Sequence, residues 1–170
     1  WWLAGVRDPE SVAEHSFRVA AVAYFLARME NADVAKTLAI AVFHDAAEAR
    51  VNDPHWLARE YIEWSGVEAE VIDDQLRGLP GRLALDLRSL LGEGSDKKTL
   101  EARIVKDADR LECLLQAREY AEQGYPVREW VDSSVRELST ASAKALAKAV
   151  LRGSPESWRS PARAPGQHPR

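Results

Sequence analysis

The chain has 170 residues, 46% of them hydrophobic, and a formal net charge of −4 at pH 7. This length and apolar content suit one domain whose core needs no disulfide or structural metal. The negative charge argues against a surface for duplex nucleic acid. No apolar run approaches the length of a membrane span. A small phosphorylated substrate is still possible, because a metal ion can supply positive charge locally.

The predicted elements are helices throughout, because apolar residues recur at steps of three and four and no alternating run predicts a strand. The first helix is predicted to begin at Asp8–Pro9 and to end at Asn31–Asp33, and the second to run from Asp33 to Asn52–Pro54. Five later helices are predicted, over residues 55–64, 67–76, 82–91, 97–121 and 140–151. The helix over 82–91 is predicted to stop at Gly92 and Gly94, and the helix over 97–121 to be capped by Ser95 or Asp96. The predicted fold class is all-α, with about six to eight helices and no sheet.

The domain is predicted to comprise residues 1–152, and residues 153–170 are predicted to form a poorly ordered tail rich in Pro, Ser and Arg. The single cysteine, Cys113, lies in an apolar helical stretch, which is typical of a packing role in a reducing compartment. No signal peptide is recognisable, so we expect a cytoplasmic location. The chain begins with Trp1 instead of Met, and we expect further residues to precede it.

Four polar side chains are predicted to point into the apolar interior: His15, His44, Asp45 and Asp109. A buried ionised aspartate is costly unless it is paired or binds a metal, and no Arg or Lys is evident between the two aspartates. Two imidazoles and two carboxylates suit Mn, Co, Fe, Ni or Zn better than Ca. Coordination positions left to water would suit a hydrolase. Against this, an inward histidine is more often a hydrogen-bonded core residue.

Glu48 lies one helical turn after His44, where it is either a solvated glutamate or a carboxylate that activates water or protonates a leaving oxygen. Asp53 is either a turn residue or a contact to a substrate hydroxyl. The tryptophans Trp1 and Trp2 either join the core or form a wall for a base.

Lys106 is three residues before Asp109 and could reach a phosphate, but we favour a solvated side chain.

Three runs of the sequence, Pro9–Ser16, His44–Ala49 and Val105–Glu112, resemble the HD-domain phosphohydrolases, and most closely the branch that contains 5′-deoxynucleotidases. The resemblance covers roughly residues 1–120. The His–Asp dipeptide alone is weak, whereas the ordered set of three runs on three predicted helices is specific. The resemblance implies an all-helical bundle, usually a homodimer, with one divalent ion (Mn, Co, Fe, Ni, Zn or Mg).

Carried over position by position, the family's metal ligands correspond to His15, His44, Asp45 and Asp109. Its catalytic carboxylate corresponds to Glu48, beside Asp45. Its residues near the substrate sugar correspond to Trp1 and Asp53. Relatives have a phosphate-binding arginine just before the tryptophan, a position that would precede residue 1. They also usually have Gly and Ile where this chain has Asn52 and Pro54, which weakens any inference about sugar selectivity.

The function this predicts is metal-dependent release of phosphate from (deoxy)nucleoside 5′-monophosphates. One alternative is a phosphodiesterase on the same scaffold. A two-metal site would need extra histidines between His44 and Asp109, where the sequence has only His55, so one metal is favoured. Another alternative is a binding or regulatory module without turnover, and a third is an ion with a structural role.

Overall fold

The computed structural model describes residues 1–157, so most of the predicted tail, with His168, lies outside the described residues. The elements are a 3₁₀ helix Trp2–Ala4, α1 Val12–Met29, α2 Val34–Phe43, α3 Glu48–Val51, α4 Trp56–Arg59, α5 Trp64–Leu76, α6 Gly81–Asp96, α7 Leu100–Glu122, α8 Arg128–Arg136 and α9 Ala141–Arg152. Residues 1–157 contain no strand, which confirms the all-α prediction. No helix in that range is long and apolar enough to span a membrane.

Short-range capping fixes several helix starts. Asp33 caps α2 as predicted, and Thr140, which was predicted as the first residue of the last helix, is the cap of α9. Each side chain accepts a hydrogen bond from the backbone N–H three residues on. The predicted start of α1 at Asp8–Pro9 is wrong, because Ser11 and Glu14 form a reciprocal capping box that satisfies two backbone N–H groups there. The predicted cap of α7 at Ser95 or Asp96 is also wrong, and Thr99 occupies that position.

Other boundaries differ because of interactions that the sequence pattern does not reveal. The second predicted helix is interrupted after Phe43: residues 44–47 form tight turns, with Glu48 N–H donating to Asp45 O at 3.0 Å, before α3 begins. The predicted short helix over 55–64 is the single turn α4, and Trp64 already begins α5.

Helix α6 continues through both glycines instead of stopping at them. A Cβ at Gly94 would lie 2.9 Å from Ile40 Cγ2, so this glycine permits close packing of α6 on α2. Helix α8 was not predicted at all.

The main core lies where α1, α2 and α7 meet, with α6, α8 and α9 packed around them. Its fully buried members include Val19, Leu26, Ile40, Ile104 and Leu114. A second, smaller apolar cluster joins the start of the chain to the end of α7, and it contains Ala4, Val6, Ala117, Tyr120 and Val127, with Trp1 and Trp130 against it. Together the two clusters hold α1, the α2–α3 turn and α7 side by side, and this fixes the geometry of the site below.

Candidate metal centre

The residues predicted as metal ligands come from three segments that the core brings together. Helix α1 carries His15, the turn after α2 carries His44 and Asp45, and α7 carries Asp109. Because α1 and α7 flank α2 in the core, their polar side chains converge at one end of the apolar cluster. Each lies at the wall of a large open cleft of about 1740 Å³, so the side chains are accessible to a small molecule.

Each of the four side chains lies within 3.5 Å of at least one of the others. Asp45 Oδ2 is 3.3 Å from His15 Nε2 and 3.0 Å from His44 Nε2, and Asp109 Oδ1 is 3.5 Å from His15 Nε2. Three possible ligand atoms, one from each of His15, His44 and Asp109, lie within 4.8 Å of one another. Donor atoms of His15, His44 and Asp109 therefore converge between the three segments, and Asp45 contacts both imidazoles.

The donor set fits a divalent metal ion. Both imidazoles are anchored through Nδ1, His44 by Ala41 O at 2.8 Å and His15 by Glu112 Oε2 at 2.7 Å, which directs both Nε2 atoms toward the common point. His44 Nε2 is buried and lies 3.0 Å from Asp45 Oδ2, but within residues 1–157 it makes no hydrogen bond of good geometry. A buried nitrogen without a well-aligned partner is costly unless an ion or water completes it. Two imidazoles with carboxylates are typical ligands of a first-row transition metal.

The charges of the site are tightly coupled. Burial lowers the pKa of His15, but hydrogen bonds to Asp45 and Glu112 outweigh it and raise the pKa to about 11. The same competition between burial and neighbouring carboxylates raises the pKa of His44. Burial raises the pKa of Asp45, yet the two imidazoles hold it well below its usual range. The neighbouring carboxylates therefore favour the protonated, positively charged form of both imidazoles.

Lys106 corrects one step of the sequence argument, which found no cation between the two aspartates and favoured a solvated lysine. Its Nζ donates to Asp109 Oδ2 at 2.7 Å, and the side chain lines the cleft. This contact lowers the pKa of Asp109 against the opposing effect of burial. The lysine stem lies one turn before Asp109 on α7, so the pair is local to the helix and leaves Oδ1 directed at His15.

Glu48 stands at the start of α3, beside the cluster of ligands. Burial and the negative charges of Asp45 and Asp53 raise the pKa of Glu48 to about 8. A second glutamate that sequence reasoning did not single out, Glu68 on α5, also lines the cleft, and burial and Asp45 raise its pKa. Both carboxyls therefore hold protons more strongly than a solvated glutamate does, in a cleft dominated by negative charge.

The side chains predicted to contact substrate lie at the rim of this cleft. Asp53 is exposed, with Oδ1 3.4 Å from Arg59 Nη2, and Arg59 in turn lies over the Trp64 ring at 5.4 Å. Trp1 is half-buried: its Nε1 donates to Glu10 Oε1 at 2.9 Å, and its ring stacks on Trp130. Trp1 is thus both packed and exposed to the cleft, whereas Trp2 is 72% exposed and belongs to neither core cluster.

Sequence reasoning missed the charged residues behind His15. Glu112 is fully buried and contacts both His15 and Arg18. Arg18 also reaches Gln116 and Glu119 on the same face of α7. A signal was present in the spacing, because Arg18 lies three residues after His15 and Glu112 three after Asp109, which places each on the same helix face as a ligand.

Residues 1–150 match the family model described as HD domain. The chain belongs to the HD-domain family. This confirms the resemblance seen in the sequence. The match spans the helices that carry His15, His44, Asp45 and Asp109, so the convergence described above lies within the family's conserved domain.

This HD domain is similar to curated relatives and to solved structures. The chain is 33% identical over 132 residues to 5′-deoxynucleotidase HDDC2 of Dictyostelium discoideum, covering 72% of this chain and 69% of that relative. It is 35% identical over 127 residues to 5′-deoxynucleotidase hdd1 of Schizosaccharomyces pombe, covering 71% and 63%. The fold matches a conserved hypothetical protein of Pyrococcus furiosus with a TM-score of 0.76 and 32% identity, over 89% of each chain. The chain thus spans about two thirds of the length of these curated relatives.

Proposed function

We propose that this HD-domain chain is a divalent-metal-dependent phosphohydrolase that releases phosphate from deoxynucleoside 5′-monophosphates. The observation that carries the proposal is the convergence of His15, His44 and Asp109 donor atoms within 4.8 Å at the wall of an open cleft. The two curated relatives are named as 5′-deoxynucleotidases, which supports the substrate class.

His15, His44, Asp45 and Asp109 are the residues that would hold the ion. Bound there, it would supply positive charge to the phosphoryl oxygens and would lower the pKa of a water. The side chains contribute orientation: the Nδ1 contacts to Ala41 O and Glu112 fix both imidazole rings before any ion binds. We propose one ion per chain, since His55, the remaining histidine before Asp109, caps α4 by accepting a hydrogen bond from Ala58 N–H.

Glu48 is proposed as the catalytic acid–base residue. A carboxyl whose pKa is raised to about 8 still holds its proton near neutral pH, so Glu48 can donate that proton to the departing 5′-oxygen. The alternative role for the same group is that its carboxylate form takes up a proton from the attacking water. Asp45 supports this role, because its negative charge is one of the causes of the raised pKa.

Trp1 and Asp53, which both line the cleft, are proposed as substrate contacts. The exposed Asp53 carboxylate can accept a hydrogen bond from a sugar hydroxyl, and Arg59 beside it limits its freedom. The Trp1 ring is held between Glu10 and Trp130, which leaves it as a rigid apolar wall.

The test is a panel of ribo- and deoxynucleoside monophosphates, assayed for released phosphate with Mn, Co, Ni, Mg or Zn after chelator treatment. We expect turnover of deoxynucleoside monophosphates, and Glu48→Gln to lower kcat by roughly 10²–10⁴-fold with metal still bound. Glu68→Gln is the matched control, because Glu68 shares the cleft and the raised pKa but has no proposed role in the reaction.

Full turnover by Glu48→Gln would refute the role of Glu48. Release of p-nitrophenol from bis-p-nitrophenyl phosphate, without release of phosphate from any monophosphate, would favour a phosphodiesterase. Metal binding without any turnover would favour a regulatory module.

We further propose that the protein is a cytoplasmic homodimer. The outer face of α1 carries large apolar side chains that are exposed in the single chain, among them Phe17 at 79% and Phe25 at 62%. Exposed apolar residues clustered on one face are typical of protein interfaces. Light scattering of the wild type and of Phe17→Ser tests the proposal: we expect a dimer for the wild type and a shift toward monomer for the variant. A monomeric wild type would refute it.

A further inference from the structure

The side of His15 that faces away from the cleft is held by a buried charged network between α1 and α7. His15 Nδ1 is 2.7 Å from Glu112 Oε2, and Glu112 is 0% exposed. Arg18 Nε donates to Glu112 Oε1 at 2.8 Å, and Arg18 Nη2 lies 2.6 Å from the same oxygen. The carboxylate therefore has one oxygen on the imidazole and the other on the guanidinium.

The guanidinium of Arg18 is itself held in place by α7. Its Nη2 donates to Gln116 Oε1 at 2.6 Å, and its Nη1 donates to both carboxylate oxygens of Glu119 at 3.0 Å. Three contacts from successive turns of α7 thus fix the orientation of the planar fork. Since the fork cannot rotate without breaking them, the position of Glu112 Oε1 is fixed as well.

Glu112 determines which nitrogen of His15 carries the proton in the neutral ring. An ionised carboxylate only accepts hydrogen bonds, so the hydrogen of the neutral imidazole lies on Nδ1. Nε2 then presents its lone pair toward Asp45 and Asp109, the direction in which an ion would lie. An isolated buried carboxylate would be costly, and Arg18 supplies the charge that makes this arrangement stable.

We propose that Glu112 and Arg18 are positioning residues of the metal centre: Glu112 fixes the Nδ1–H tautomer and the ring plane of His15, and Arg18 acts through Glu112. This inference rests on the metal centre of the proposed function but not on its substrate. The same atoms do not form a second ion site, although Glu10, His15 and Glu112 are grouped closely enough for one. Arg18 already supplies the positive charge there, with Nη2 4.0 Å from Glu10 Oε2.

The test measures Mn²⁺ affinity by calorimetry in the wild type, in Glu112→Gln, in Arg18→Met and in the double variant. Gln offers one acceptor oxygen and cannot serve both His15 and Arg18, so we expect Glu112→Gln to weaken binding by about 10–100-fold. Arg18→Met should also weaken binding, but it should add nothing once Glu112 is Gln, because Arg18 acts through that carboxylate. Asp74→Asn is the matched control. It removes an exposed partner of Arg50 that contacts none of His15, Arg18 and Glu112, and we expect less than about a threefold change.

Equal affinity of Glu112→Gln and the wild type would overturn the proposal, as would independent effects of the two substitutions. So would two ions per chain in the wild type. A wild type that binds no metal would instead refute the metal centre itself, so the two failures are distinguishable. A measurement without any variant covers the case of poor folding: in the Zn²⁺-loaded wild type, ¹⁵N NMR of the imidazoles should show His15 protonated at Nδ1 and bound through Nε2. Binding through Nδ1 would overturn the proposal.

Discussion

Asp107 and Asp109 lie two residues apart on α7, yet their surroundings predict opposite consequences of the same substitution. Asp107 is 1% exposed, and its carboxylate accepts hydrogen bonds from Ser139 N–H at 2.8 Å and Thr140 N–H at 2.7 Å, as well as from both hydroxyls. It therefore joins the middle of α7 to the start of α9. Asparagine has one acceptor oxygen, so Asp107→Asn leaves at least one buried donor facing an amide nitrogen.

Hydrogen bonds to a charged group contribute about 1.5–3 kcal/mol each, so we expect Asp107→Asn to lower the free energy of unfolding by roughly 3 kcal/mol. For a domain of this size that corresponds to a Tm lower by roughly 6–12 °C. Asp109→Asn should cost about 1 kcal/mol or less, because its ion pair with Lys106 is partly exposed. Its effect should fall on metal affinity, which Asp107→Asn should leave unchanged.

Urea unfolding followed by circular dichroism in the presence of EDTA measures the first effect, and Mn²⁺ titration of the folded variants measures the second. The wild type provides the reference for both. The reasoning is refuted if Asp107→Asn is as stable as the wild type, or if Asp109→Asn binds Mn²⁺ with undiminished affinity.

Three further predictions concern groups around the same site. Burial and the charge of Glu112 raise the pKa of Glu10 to about 7. The folded state therefore binds the Glu10 proton more tightly than the unfolded state does. As a result, the free energy of unfolding falls as the pH rises from about 4.5 to about 7. Glu10→Gln should therefore exceed the wild type in stability by about 1–2 kcal/mol at pH 8, after allowance for solvent screening, and by little at pH 5. A difference independent of pH in urea titrations would contradict this. Chelation of the metal should abolish turnover but leave the far-ultraviolet circular dichroism unchanged, because the two apolar clusters pack without an ion. Unfolding of the protein by EDTA would instead indicate a structural metal. Partial burial raises the pKa of the Cys113 thiol to about 11, so it should react with a disulfide reagent at pH 8 far more slowly than free cysteine. A rate equal to that of the free thiol would refute the raised pKa.

The features determined by sequence alone are those that depend on residues close together in the chain. The three- and four-residue apolar period predicted an all-α fold, and the structure confirms it over residues 1–157. Asp33 was identified as the cap of α2 because a cap and its backbone partner lie three residues apart. The ordered runs around His15, His44 and Asp109 identified the HD-domain family, which the family match over residues 1–150 confirms.

The features decided by the tertiary structure depend on residues far apart in the chain. Helix α6 runs past Gly94 because that glycine packs on Ile40, 54 positions earlier in the numbering, and no local pattern reports such a contact. The buried Glu112 meets His15 and Arg18 only because α1 and α7 pack together across some 94–97 residues of sequence. From the sequence around it, a charged side chain is predicted to be solvated. Only the fold reveals the partner that makes its burial possible. The four proposed ligands could therefore be identified one helix at a time, whereas the network that orients His15 required the helices to be packed together.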